Sequence, residues 1–290
     1  MARPGATVVV PTARRPEALA RCLEAVARQE PVPGGFDMVV VADGPPGAAA
    51  RVVNAACRGG LDVRLVEQAA AGPAAARNRG AGAASGGVLA FTDDDCCPDS
   101  GWLRGLFSAL ETEPRAVVGG PVINALSSNP YAEAAQLVVD VVVDYLKSAD
   151  SSLSFFTSNN IALRRTTLQA LEGFDTRFPR AAAEDRDLCE RARVLGYPLV
   201  FAADAQVEHA HDLTLARLCR QQFRYGQGAV ALNRSRRARG SGPWKAETGL
   251  YKALARAAWH GKGRARRVSL VALTQATCGL GVAAELSRRP

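Results

Sequence analysis

The chain predicts a mostly parallel α/β sheet with helices on both faces, followed by a helical basic C-terminal tail. Three observations carry this. Strand-like and helix-like segments alternate regularly through the first 125 residues. The strands are continuous apolar runs, as expected where helices cover both faces of a sheet. Polar side chains follow the ends of those strands, the edge at which open α/β sheets bind ligands.

Taken in order, Ala6-Thr7-Val8-Val9-Val10 reads as the first strand. Pro16 opens a helix with Leu19, Leu23 and Val26 on one face. Phe36 to Val41 is the second strand, Ala48 to Cys57 an alanine-rich helix, Val63 to Val66 the third strand, and Pro73 opens another helix. Gly87-Val88-Leu89-Ala90-Phe91 is a buried strand, and Thr12, Arg14, Asp43, Arg77, Asn78, Asp93 and Asp95 gather at the polar edge. Further on, Phe155 to Arg165 reads as a strand bearing polar groups and Gly173-Phe174-Asp175 as a turn. Glu184-Asp185 opens a helix with Leu188, Ala192 and Leu195 periodic and Gly196 as its stop. Leu199-Val200-Phe201 then leads toward Val207-Glu208-His209-Ala210-His211.

The acids after Phe91 are the strongest chemical signal. Three carboxylates, Asp93-Asp94-Asp95, contribute nothing to packing but suit a cation. In an extended segment Asp93 and Asp95 would converge on one target while Asp94 points elsewhere. Hard oxygen ligands select Mg²⁺ or Mn²⁺, which takes one or two carboxylates together with a substrate's phosphates. The competing reading is a solvated acidic turn. Two histidines at i, i+2 after a strand, His209 and His211, could place one of them on that cation.

Composition excludes other classes. Seven cysteines without a Cys-x-x-Cys spacing fit neither a disulfide scaffold nor a zinc cluster, which points to the reducing cytoplasm. The short apolar run ended by Pro11 is not a signal peptide. Gly80-Ala81-Gly82-Ala83-Ala84-Ser85 nearly matches the dinucleotide fingerprint, but it precedes a strand instead of following one. No Gly-x-x-x-x-Gly-Lys is present.

Charge divides the chain. Residues 1–211 hold 20 Lys and Arg against 25 Asp and Glu, a net −5, whereas residues 212–290 hold 16 against 3, a net +13. Arg234, Arg236, Arg237, Arg239 and Lys262, Arg264, Arg266, Arg267 flank Trp244, Tyr251 and Trp259. Such a pattern suits an anionic membrane surface, each charge contributing about 1 kcal/mol, and no nucleic-acid motif accompanies it. The run Val268 to Leu286 is interrupted by Thr274, Gln275, Thr277 and Glu285, so it reads as an interfacial or packed helix. A solvated tail or a helix covering the body is the alternative.

Together, Val8-Val9-Val10-Pro11-Thr12 with Arg15-Pro16, Val39-Val40-Val41-Ala42-Asp43-Gly44, Ala76-Arg77-Asn78, Phe91-Thr92-Asp93-Asp94-Asp95 with Trp102-Leu103, Asn159-Asn160, Gly173-Phe174-Asp175 and Glu184-Asp185 resemble family 2 glycosyltransferases. The resemblance runs over about residues 5–230. It implies a glycosyltransferase A-type fold and an inverting glycosyltransferase using Mn²⁺ or Mg²⁺. The donor would be a nucleoside-diphosphate sugar, a UDP-sugar first, and the acceptor a lipid-linked, glycan, peptide or secondary-metabolite hydroxyl. Pro11, Thr12 and Asp43 then match the nucleoside pocket, with Arg14 and Asp94 grouped as donor-binding candidates. Arg77 matches a basic residue near the nucleotide and Asp93 the acid on the ribose side. Asp95 matches the metal ligand, joined by His209, and Asp185 the general base with Glu184 beside it. Ala42 departs from the pattern, where many relatives carry an acid. Gln221-Gln222-Phe223-Arg224-Tyr225 resembles the Gln-x-x-Arg-Trp motif of processive synthases, but the chain lacks their several spans, so few-sugar transfer is expected. Residues 1–125 would form the nucleotide-sugar half, 126–235 the acceptor half and 236–290 the tail. The expected location is cytoplasmic and peripheral at the inner face of the cell membrane, without nucleic acid. A nucleotidyltransferase, or an inactive sugar-nucleotide or membrane-binding protein, is the alternative.

Overall fold

The computed structural model describes residues 4–45, 47–148, 155–178, 182–242, 248–260 and 263–288. Trp244 and Lys262 lie outside them. The first half alternates as the apolar runs require: Ala6–Thr12 (β1), Pro16–Ala27 (α1), Phe36–Asp43 (β2), Ala48–Arg58 (α2), Val63–Gln68 (β3), Pro73–Ala83 (α3) and Val88–Phe91 (β4). Cys96–Pro98 (β5), Trp102–Thr112 (α4), Val117–Gly119 (β6), Val122–Asn124 (β7) and Pro130–Ser148 (α5) follow. The second half contains Ile161–Arg164 (β8), Arg165–Ala170 (α6), Glu184–Val194 (α7), Leu199–Phe201 (β9) and Val207–His209 (β10). Three helices end the chain: Leu215–Ala238 (α8), Thr248–Trp259 (α9) and Arg264–Leu286 (α10). The tail boundary expected at 235/236 falls inside α8.

Seven strands form the main sheet in the order β3-β2-β1-β4-β8-β6-β9. Only β8 runs against its neighbours, pairing antiparallel with β4 and β6. The strand expected over residues 155–165 is therefore confined to Ile161–Arg164, because the Asn159-Asn160 segment turns to let the chain reverse. Alternation along each strand divides the core. Val8, Val10, Met38 and Ala90 face Leu19, Leu23, Trp102 and Leu106, while Val9, Leu89, Phe91 and Ile161 face Ala74, Phe174 and Leu188. Gly80 allows α3 to lie directly on the sheet, since a Cβ there would sit 2.3 Å from Val9 Cγ1.

A second sheet, β5-β10-β7, crosses the edge where β4 ends. Its antiparallel register sets His209 opposite Cys96, and the Ala210 amide donates to the Asp95 carbonyl at 2.8 Å. Asn160 fastens this edge to the body. Fully buried, it accepts from Trp102 Nε1 at 2.8 Å and donates to the carbonyls of Pro121 and Ala205 at 2.9 and 2.8 Å. One side chain thus joins α4, the β6–β7 turn and the strand leading to His209. Replacing it takes the partner from the Trp102 indole N–H and the Ala205 carbonyl, while the Pro121 carbonyl keeps the Val207 amide at 3.0 Å. Asn160→Ala is expected to lower unfolding stability by about 2–4 kcal/mol, read as a shift of the urea midpoint at unchanged slope.

Candidate active site

The site is assembled at the carboxyl edge of the main sheet from four loops. At the end of β1, Thr12, Ala13 and Arg14 line a cleft of about 260 Å³ whose other wall is Ala42, Asp43, Gly44 and Pro45 at the end of β2. Pro11 lies in β1 beside Val41 and does not line this cleft. Arg14 is exposed and takes a left-handed φ of 60°. The Asp43 carboxylate holds the β3–α3 loop: it accepts from Gln68 Nε2 at 2.9 Å and from the amides of Ala71 and Gly72 at 2.7 and 2.9 Å. Ala42, where an acid would be usual, is a buried wall of the cleft.

The three acids do not behave as an extended segment. Thr92 makes the last sheet bond, to Val9, and the Cys96 amide then bonds the Asp93 carbonyl at 3.1 Å, closing a turn. The two-residue alternation is lost there, and Asp93 and Asp95 diverge. Asp93 accepts from Arg77 at 2.7 Å. Asp94 is fully buried, bonded by the Thr12 hydroxyl at 2.6 Å and by Arg15. It has no exposed surface to offer a donor and instead fixes the β1 loop. Asp95 pairs with Arg15 and lies 3.4 Å from His209 Nε2.

Burial pushes the Asp94 carboxyl up to about 6 despite the Arg15 charge and the Thr12 hydroxyl. Burial also acts against an ionised Asp95, yet the His209 hydrogen bond and charge, with Arg15, hold its carboxyl well below the usual range. His211 stacks on His209 at 4.9 Å, and burial, with His209 alongside, brings it down to about 4.

Arg77, 2% exposed, is the other centre. It donates to Asp93 and, at 3.1 Å, to Glu184 at the start of α7. Burial works against its charge, but Asp93 and Glu184 more than restore it. Burial and the neighbouring Asp185 raise the Glu184 carboxyl against the pull of Arg77. The next residue of α3, Asn78, exchanges bonds of 2.7 and 2.8 Å with the Phe174 backbone, placing that ring 5.7 Å from the Arg77 guanidinium. Asp185 accepts from the Ser158 amide at 3.3 Å and from the Arg186 amide at 2.8 Å. Behind α7, Gln221 Nε2 donates to Tyr225 Oη at 3.0 Å, and burial pushes this phenol up to about 12.

Among the described residues, Asp95, Cys96 and His209 offer ligand atoms within 4.8 Å of one another. The Asp95 and His209 atoms are partly open to solvent, and an oxygen with an imidazole nitrogen suits a divalent ion such as Mn²⁺. Cys96 is a poor third ligand, because burial pushes its thiol well above the usual range. Arg15 is given no role by sequence patterning. It holds Asp94 and Asp95 together, and its position after β1, immediately before Pro16, was the available signal.

The model of "Glycosyl transferase family 2" matches residues 7–171, more than half of the chain. The chain belongs to this family. It is a glycosyltransferase, which displaces both the nucleotidyltransferase and the inactive alternatives. Glycosyltransferase AglE of Haloferax volcanii is 26% identical over 78% of this chain and 73% of its own. The pre-mycofactocin glycosyltransferase of Mycobacterium tuberculosis is 28% identical over 78% of this chain, which spans only 47% of that protein. Among solved structures, mannosyltransferase PcManGT of Pyrobaculum calidifontis, in complex with GDP-Man and Mn²⁺, superposes with a TM-score of 0.62 at 20% identity, covering 99% of this chain and 79% of its own. S. aureus TarS with UDP-GlcNAc gives 0.54 at 14% identity over 94% and 72%. The fold shared with these enzymes is the glycosyltransferase A-type fold.

Removing Arg77 leaves two acids with no cation, one of them fully desolvated. Arg77→Met is expected to cost about 3–5 kcal/mol of stability, and Arg77→Met/Glu184→Gln measurably less. Chemical denaturation of the four proteins of this double-mutant cycle measures the coupling directly.

Proposed function

We propose that this glycosyltransferase is inverting and metal-dependent, moving a sugar from a nucleoside-diphosphate sugar to an acceptor hydroxyl with Asp185 as general base. The observation that carries this reading is the Asp93–Arg77–Glu184 chain of ion pairs, which registers the base helix α7 against the acid turn. A UDP-sugar is the first donor to test and GDP-mannose the second, because TarS and PcManGT hold these two kinds of donor. In this reading Thr12, Arg14 and Asp43 border the nucleoside, with Pro11 behind them in β1, and Asp93 and Arg77 lie toward the ribose and diphosphate. Asp95 and His209 would hold Mn²⁺ or Mg²⁺, which when bound supplies positive charge to the departing diphosphate.

The rest of the chemistry belongs to side chains. Arg77 adds a cation whose charge two acids maintain at any working pH. Asp185 sits at the mouth of α7, half-buried, with each oxygen bonded by one backbone amide, which leaves lone pairs free to receive the acceptor proton. Glu184 is committed to Arg77 and the Ala182 amide at 2.8 Å, so it shapes the loop and does not itself take the proton. Residues 1–125 serve the donor, and 126–235 serve the acceptor while also lending His209 to the metal. The seven cysteines are free, which supports a cytoplasmic setting.

Asp185→Asn is expected to lower turnover by about 10²–10⁴-fold while donor-induced thermal stabilisation is kept; turnover like the parent's would remove Asp185 from the mechanism. A thermal-shift panel of nucleotide sugars should show a Mn²⁺-dependent rise in Tm for one nucleotide. That rise should disappear with EDTA and in Asp95→Ala. An undiminished shift in Asp95→Ala at excess Mn²⁺ would count against Asp95 as a ligand.

A further inference from the structure

Helix α10 has two unlike faces. Residues 268–284 contain no charged side chain. On the inner face Val271, Thr274 and Gly281 are buried against the body. There the backbones of α8 and α10 touch: a Cβ on Gly281 would lie 2.0 Å from the Phe223 carbonyl oxygen, and one on Gly226 2.0 Å from that of Cys278. The helix's one acid, Glu285, is held by Arg234 at 3.1 Å and Gln227 at 3.4 Å, both from α8. On the outer face Ala272, Ala276, Leu280, Ala283 and Leu286 are exposed along one stripe, Leu280 and Leu286 each at 64%.

By length and composition α10 can cross a bilayer, but its attachment to α8 prevents it. α8 bears six arginines and would have to follow it into hydrocarbon. What remains is an apolar face fixed on the protein surface and bounded by basic groups. At its start Arg264 stacks on Trp259, itself 59% exposed, at 5.2 Å, with Arg266 exposed beside them. Arg288 lies exposed at its end. Aromatic and basic residues around an apolar face characterise helices that lie in the plane of a membrane interface.

We propose that this outer face of α10 is a lipid-binding surface that seats the protein on an anionic bilayer, lying in its interface without spanning it. Charge decides the occupant. Residues 212–290 carry a net +13, and although Arg236, Arg239 and Arg267 pair with acids of the body the remainder stays strongly positive, so a second copy would set two positive surfaces against each other, whereas an anionic leaflet supplies the opposite sign. The assignment is independent of donor, metal and general base.

The test is flotation of the full chain with phosphatidylcholine vesicles, plain or containing about 30% phosphatidylglycerol. The chain should float with the anionic vesicles alone, and less as salt is raised. Ala276→Asp/Leu280→Asp, on the apolar face, and Arg264→Glu/Arg266→Glu, at its basic end, should each cut recovery about tenfold. An unchanged Tm for each variant would separate lost binding from unfolding. Flotation of Ala276→Asp/Leu280→Asp at the parent's level overturns the proposal. So does failure of the parent to float, or light scattering that shows a parent dimer which this variant converts to monomer.

Discussion

Arg77 is the group on which the site's geometry depends. A guanidinium buried this deeply is tolerated only where acids surround it, and its planar fork reaches two at once. Those two come from distant parts of the chain: Asp93 from the turn after β4 and Glu184 from the start of α7. Satisfying one cation therefore fixes the helix that bears Asp185 relative to the acid turn. Asn78 reinforces this by binding the Phe174 backbone from the adjoining position of α3, so a single helical turn organises both partners.

Arg15 serves the other side of the turn in the same way. It spans Asp94 and Asp95 while His209 approaches Asp95 from the second sheet. Arg15 and the His209 imidazole thus converge on Asp95 from two directions, and its carboxylate is held ionised. Asp94, lacking exposure, keeps the β1 loop in place through Thr12. Three consecutive acids therefore have three different duties, because a turn and not a strand carries them.

Helix α7 is gripped from behind as well. Asp187, fully buried, is paired with Arg191 at 2.7 Å and with Arg239 at 2.8 Å, while Glu190 meets Arg236 at 2.6 Å. Arg236 and Arg239 belong to the basic cluster that a reading of charge alone assigns to a solvated or membrane-facing tail. They are structural counter-ions of the helix that carries Asp185. The outward apolar character of this region lies instead on α10, whose inner face the α8 backbone covers.

The alternating apolar runs of the first half determined the sheet, the helices on both its faces, and the collection of polar residues at one edge. Strand periodicity and helix openers such as Pro16 and Pro73 are local properties, so they survive without tertiary information. Local patterning also located the acids, the Glu184-Asp185 helix and the histidine strand. Only the tertiary structure decided which acid faces what. Asp93 and Asp95 part because the chain leaves the sheet at Thr92. The reversal at Asn159-Asn160 shortens β8, and Arg15 acquires two acid partners that its place before Pro16 marks but does not name. These outcomes rest on long-range pairing of polar and charged groups, where the partner of each is set by the packing of distant segments and not by its neighbours in the chain.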